Sequence, residues 1–282
     1  MKELVLGTRG SKLALAQSQW VAALITERTG VSVRLKVIST KGDRIVDRPL
    51  GAIGGKGLFT AELEAELFSK DIDFAVHSLK DLPTEQPEGL CLGAIPKRED
   101  PRDVLVGNIS SASMVVGTGS LRRQAQLRWL YPQAVLKGVR GNVDTRIGKM
   151  ERGEYDCVVL AYAGLKRLSI ERKDIYPLEF EQSIPAAGQG ALGVQCVKNR
   201  SEVLEVLQSI HDPNTEIEVL TERSFLEAFG GGCHVAAGCI AQILDQQIFA
   251  AAFAEVDGEV KRVRGNGVDP KALGQFLAAQ LK

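Results

Sequence analysis

Three places in this 282-residue chain combine reactive side chains with a local sequence that presents them. Cys233 follows Gly230, Gly231 and Gly232 and precedes His234. Glycines let a backbone bend sharply, so this thiol is expected at a loop tip, suited to covalent chemistry. Asp81 follows Lys80 at the end of an apolar run, and Pro83 blocks regular structure beyond it. A carboxylate there can steady a developing cation or accept N–H donors. Arg122 and Arg123 follow Gly117-Thr118-Gly119-Ser120 at an expected helix start, where backbone N–H groups and the helix dipole attract anions. Paired guanidinium groups fork onto carboxylate or phosphate oxygens.

The surroundings of the arginines strengthen that reading. Residues 117–167 hold ten Lys or Arg against four Asp or Glu, an excess of +6 that leaves −6 on the remainder. Over the whole chain 35 basic residues balance 35 acidic ones, so no molecular field points to nucleic acid or an anionic membrane. A small polyanion is the ligand class implied. Arg128, Lys149 and Arg152 read as solvated helix faces, and Cys91, Cys157, Cys196 and Cys239 as inert reduced thiols. Cys233, His234 and Cys239 lack paired metal-knuckle spacing, so no metal is expected. Gly188, Gly190 and Gly193 fit a dinucleotide fingerprint, but Pro185 stands where its strand should end. Residues 51–57 have glycines without the Lys-Ser/Thr of a phosphate loop and read as a lid.

The elements that must position these groups alternate between strand and helix. Leu4 to Leu6 predicts a strand, and Ser11 and Gly30 cap the helix that follows. Val33, Leu35 and Val37 alternate as a half-buried strand, Phe59, Leu63 and Leu67 recur at helical spacing, and Ile72 to Val76 suits a buried strand ending near His77 to Asp81. A second cycle has strands at Val104 to Val106, Met114 to Val116, Val135 to Leu136 and Cys157 to Leu160, and is expected to be mostly parallel. The tail predicts a helix from about Glu216 to Phe229, strands near Ile240 and Phe249, an Asp257-Gly258 hairpin turn and a last helix. With 44% hydrophobic and 25% charged residues, a packed soluble fold is expected. Arg9 interrupts the first apolar stretch and no run reaches the ~18 residues of a membrane span, so a cytoplasmic protein is expected.

Seven ordered motifs together resemble the hydroxymethylbilane synthase, or porphobilinogen deaminase, family. They are Thr8-Arg9-Gly10-Ser11, Gly54 to Phe59, Ala75 to Pro83, Gly117 to Arg123, Arg140-Gly141-Asn142-Val143, Pro185 to Gly190, and Gly231-Gly232-Cys233. The resemblance implies an α/β fold: two lobes like those of periplasmic binding proteins flanking the active cleft, plus a small C-terminal α+β domain. Residues 1–96 with 191–213 would form the first domain, 97–190 the second and 214–282 the third. It further implies a dipyrromethane cofactor held through a thioether to Cys233, on which four porphobilinogen units condense with loss of ammonia before water releases a linear tetrapyrrole. Asp81 would be the catalytic carboxylate, holding pyrrole N–H groups and stabilising the cationic azafulvene. Ser78, Lys80, Asp81, Thr118, Ser120, Arg122, Arg123 and Arg146 would bind the cofactor. Arg9, Ser11, Phe59, Arg140, Arg146, Arg167 and Gln189 would bind substrate or the growing chain, with Lys56 and Phe59 on the lid. A monomer without nucleic-acid or membrane partners is expected. Gly119 and Ala236 depart from the family pattern, where a hydroxyl residue and a proline are common. A non-enzymatic two-lobed anion receptor and a phosphate-using transferase are the rival readings, and the Cys233 loop argues against the first.

Overall fold

The local signals at 4–30 form a strand, turn and helix. In the computed structural model, which describes residues 3–40, 42, 60–230 and 235–282, Ser11 Oγ accepts the Ala14 N–H and Gly30 closes the helix at φ 71°. The elements in chain order are β1 (Leu4–Arg9), α1 (Lys12–Thr29), β2 (Val33–Ile38), α2 (Ala61–Phe68), β3 (Phe74–Ser78), a 3-10 turn (Leu79–Asp81), β4 (Leu90–Ala94), β5 (Asp103–Gly107) and β6 (Val115–Gly117). There follow α3 (Leu121–Leu130), β7 (Val135–Lys137), α4 (Val143–Glu151), β8 (Cys157–Ala161), α5 (Tyr162–Arg167), β9 (Ile175–Pro177), β10 (Leu192–Val197) and α6 (Ser201–Gln208). The chain ends with α7 (Pro213–Phe229), β11 (Ala237–Leu244), β12 (Gln247–Val256), β13 (Glu259–Gly267) and α8 (Pro270–Leu281).

Two compact units result. The first, Met1–Arg98 with Ala191–Glu216, is built on one sheet of order β2-β1-β3-β10-β4. β1 pairs in parallel with β2 and β3, whereas β10 runs antiparallel to both β3 and β4. Leu6, Ile25, Phe74, Val194 and Leu207 are buried in its core. Gly7 is required at the centre of β1, since a Cβ there would come within 2.3 Å of Ile72 Cδ1.

The second unit, Glu99–Gly190 with Ile217–Lys282, holds two sheets. One has the order β7-β6-β8-β5-β9. The expectation of a mostly parallel lobe is corrected here: β6 pairs in parallel with β7 and β8, but β5 is antiparallel to β8 and β9. β5 comes before the series β6–β8 and adds to β8 in the opposite direction, Asp103 against Ala161 and Gly107 against Cys157, without a helical crossover between β5 and β6. The other sheet is the antiparallel meander β11-β12-β13, covered by α8 and by Phe225 of α7. Its second hairpin turns at Asp257-Gly258 with φ 52° and 82°, both in the left-handed region that this dipeptide tolerates.

Candidate active site

In the first unit the parallel neighbours β1 and β3 place Arg9 and Ser78 at adjacent C-terminal strand ends, and the 3-10 turn carries Lys80 and Asp81 just beyond. Open α/β sheets commonly form ligand sites at such ends. Arg9, Ala14, Gln17, Thr60, Val76, His77, Ser78 and Asp81 line a recess of about 30 Å³. Asp81 is exposed, and no described residue forms a hydrogen bond or ion pair with its carboxylate. Ser78 Oγ accepts Gln17 Nε2 at 2.9 Å, and Ser11 Oγ is engaged as the α1 cap. His77 is buried with Nε2 3.1 Å from Gln195 Oε1. Burial pushes its pKa down to about 4, with the nearby Arg9 charge in the same direction, so the imidazole is neutral at physiological pH.

In the second unit β6 leads through Gly117 to Ser120 into α3, and Ser120 Oγ caps that helix at the Arg123 N–H. The two arginines on its first turn do not stand open to an anion as the sequence reading expects. Both are 6% exposed and turn inward onto Asp103, the first residue of β5. Arg122 forks onto the carboxylate at 2.6 and 3.1 Å and also reaches Ile184 O at 2.7 Å. Arg123 donates to Asp103 Oδ1 from Nε at 3.0 Å and Nη2 at 2.8 Å, and to Val159 O at 2.9 Å. Ser183 Oγ and Gln189 Nε2 donate to the same carboxylate at 3.1 and 2.9 Å. Burial alone would raise the Asp103 pKa, but the two guanidinium charges and their hydrogen bonds hold it far below the usual range.

The other predicted residues divide in the same way. Gln189, expected to bind substrate or the growing chain, is buried and donates to Pro101 O at 2.7 Å besides Asp103. Thr118 is also buried, its hydroxyl accepting the Ser120 N–H at 3.3 Å. Arg146 donates to Gly141 O at 2.8 Å, and half-buried Arg140 has no partner among the described residues. Arg167 reaches Gly190 O at 2.7 Å, and burial lowers its pKa to about 10 against the opposing charge of Glu99. Cys233, Phe59 and Lys56 lie outside the described residues. The sequence reading missed Asp103, whose signal was a single acid heading the apolar run Val104 to Val106; such a charge is buried only when paired.

Asp103 fixes both arginines in place within the second unit. Two guanidinium charges against one carboxylate leave one net positive charge. Each arginine uses three of its five N–H donors within the protein, so others remain for carboxylates of a ligand. That donor set fits a cofactor bearing acidic side chains.

The comparisons with known proteins cover the same elements. The family model described as porphobilinogen deaminase, dipyrromethane cofactor binding domain, matches residues 4–205, and the one for the porphobilinogen deaminase C-terminal domain matches 216–282. A porphobilinogen deaminase of Parasynechococcus marenigrum is 43% identical over 100% of this chain and 93% of its own length. One of Sulfurimonas denitrificans is 48% identical over 87% of this chain and 81% of its own. Among solved structures, the VFT2 domain of Bordetella pertussis BvgS aligns with a TM-score of 0.43 at 14% identity, covering 73% of this chain and 85% of that one. With two family models spanning both units and relatives matched over nearly their whole length, the chain belongs to the porphobilinogen deaminase family.

Proposed function

We propose that this chain is a hydroxymethylbilane synthase that uses Asp81 as its catalytic carboxylate and Cys233 as the anchor of a dipyrromethane cofactor. The full-length family match carries the reading, and the exposed Asp81 carboxylate, without a hydrogen-bond or ion-pair partner among the described residues, supports the role given to it. In this reading residues 1–96 with 191–213 carry the carboxylate, 97–190 the arginines and 214–282 the cysteine, and the chain works as a cytoplasmic monomer on porphobilinogen. No helix among the described residues is long and apolar enough to cross a membrane.

The cofactor supplies a nucleophilic pyrrole carbon when bound. Everything else falls to the protein. Arg122 and Arg123, held by Asp103, direct their remaining donors to ligand carboxylates, with Ser78, Lys80, Thr118, Ser120 and Arg146 contributing further contacts. Arg9, Ser11, Arg140, Arg146, Arg167 and Gln189 serve the incoming substrate and the growing chain. For Gln189 that role is indirect, through the Asp103 carboxylate it helps to hold. The resemblance gives Lys56 and Phe59, which lie outside the described residues, the role of limiting water at the reacting groups. Asp81 faces the pyrrole whose amine departs; its negative charge stabilises the cation that develops there and is most effective with water excluded.

Intact mass tests this directly. The purified chain should exceed its sequence mass by two linked pyrrole units and convert porphobilinogen into a linear tetrapyrrole, and Cys233→Ser should abolish both. A fully active chain of unmodified mass overturns the proposal.

A further inference from the structure

The recess below Asp81 contains two polar groups to which the proposed mechanism assigns nothing. Thr60 stands at the N-terminal cap position of α2, where threonine ordinarily accepts a backbone N–H, yet its side chain makes no such bond. The residue is 3% exposed and its Oγ1 is buried without a hydrogen-bond partner among the described residues. An unsatisfied buried hydroxyl is costly and calls for a ligand.

The second group is His77, and a chain of hydrogen bonds sets its tautomer. Gln86 Nε2 donates to Pro83 O at 3.1 Å, which leaves Gln86 Oε1 to accept Gln195 Nε2 at 2.9 Å. Glu64 Oε1 accepts from the same Gln195 nitrogen at 3.4 Å. Gln195 therefore turns Oε1 toward His77, and His77 Nε2 carries the proton that bridges them. Because the ring is neutral, Nδ1 is a bare acceptor, and no described residue donates to it. A carboxylate gains nothing at this nitrogen. The ligand must bring N–H or O–H.

We propose that Thr60 Oγ1 and His77 Nδ1 form an uncharged acceptor site for the primary ammonium of the substrate, beside the Asp81 carboxylate; this rests on porphobilinogen being the substrate. The recess, with an accessible volume of about 30 Å³, has room for a group the size of an ammonium. Arg9 lines the same recess, so Asp81 alone does not set the field there, and hydrogen bonds to uncharged acceptors contribute to holding the ammonium. That arrangement suits a leaving group. When the carbon–nitrogen bond breaks, its electron pair stays on nitrogen, neutral ammonia departs and the positive charge passes to the pyrrole. Uncharged acceptors hold the ammonium less tightly than a second carboxylate would and still accept N–H from the departing ammonia, so they trap the ground state less.

The test uses cofactor-loaded protein, verified by intact mass, with porphobilinogen and with an analogue bearing hydroxymethyl in place of aminomethyl. The analogue has one O–H donor, which His77 alone can receive. Thr60→Val should lower kcat/KM for porphobilinogen about tenfold and for the analogue less than about twofold, with Thr60→Ser restoring the former and the melting temperature unchanged or raised. Should Thr60→Val fail to fold, His77→Asn carries the measurement, with a loss of about tenfold expected on porphobilinogen. Equal losses on both substrates with Thr60→Val, or none with either variant, overturn the site. Wild-type protein with neither added pyrrole mass nor turnover would instead remove the parent reading, and this site with it.

Discussion

The Asp103 cluster and the Asp81 recess treat ionised groups in opposite ways. Asp103 is fully buried, meets Arg122, Arg123, Ser183 and Gln189, and has no freedom left. Asp81 is exposed, and no described residue forms a hydrogen bond or ion pair with its carboxylate. On the proposed function, the contrast follows from what each would have to do. A permanent ligand charge is best met by donors already oriented and already desolvated, whereas a charge that appears only during reaction needs a counter-charge not yet neutralised by a neighbour. The first arrangement stabilises the fold through its pairs; the second contributes little to folding and much to the barrier.

Replacing each acid sharpens that difference. Asp103→Ala leaves two guanidinium groups buried without their carboxylate, and about 3–5 kcal/mol of stability should be lost in urea unfolding. Arg122→Leu should cost somewhat less and also impair cofactor loading, read by intact mass, because Arg123 still neutralises Asp103. Asp81→Asn should behave conversely: unfolding within about 0.5 kcal/mol of wild type, cofactor retained, and turnover lower by at least ~3 kcal/mol of barrier. A large stability loss in Asp81→Asn, or an inactive but fully stable Asp103→Ala, would reverse the assignment of the two acids.

His77 gives the contrast a pH dependence. Its pKa lies near 4 in the fold against 6.5 for the free side chain, because burial penalises the charged ring. The unfolded chain therefore takes up a proton at a higher pH than the folded one. Stability from this residue is complete above about pH 6.5 and falls as the pH drops toward 4, by up to about 3 kcal/mol. His77→Gln removes that titration, so the two proteins should diverge between pH 7 and pH 4, the variant losing less. Parallel stability curves would mean that His77 is protonated in the folded state.

Much of the architecture was legible because its signals are local. Ser11 and Gly30 delimit α1 within their own turns, and Asp257-Gly258 specifies a hairpin through two positive φ angles. β4, β9 and β10 escaped the sequence reading because short strands acquire their identity from partners far along the chain. β10 lies between β3 and β4 only after more than ninety intervening residues have folded, and nothing in Leu192–Val197 states that direction. The site was legible in the same uneven way. Motifs marked Asp81 and the arginines, but the partner that turns Arg122 and Arg123 inward lies nineteen and twenty residues upstream in β5. Thr60 and His77 are further cases, since an orphaned hydroxyl and a fixed tautomer exist only after neighbours are placed.

The smallest effect belongs to a pair that geometry alone would rank beside the Asp103 cluster. Arg264 Nη2 lies 3.0 Å from Glu181 Oε1, about as close as Arg123 lies to Asp103. The difference is solvent: the Arg264 and Glu181 side chains are 72% and 69% exposed, against 7% and 0% for the buried pair. Water screens the outer pair, and ordering two long side chains offsets most of its attraction. Arg264→Ala should therefore change unfolding stability by less than about 0.5 kcal/mol, and that change should vanish in high salt. A salt-insensitive loss as large as that of Arg122→Leu would show that distance, not burial, decides the worth of an ion pair in this protein.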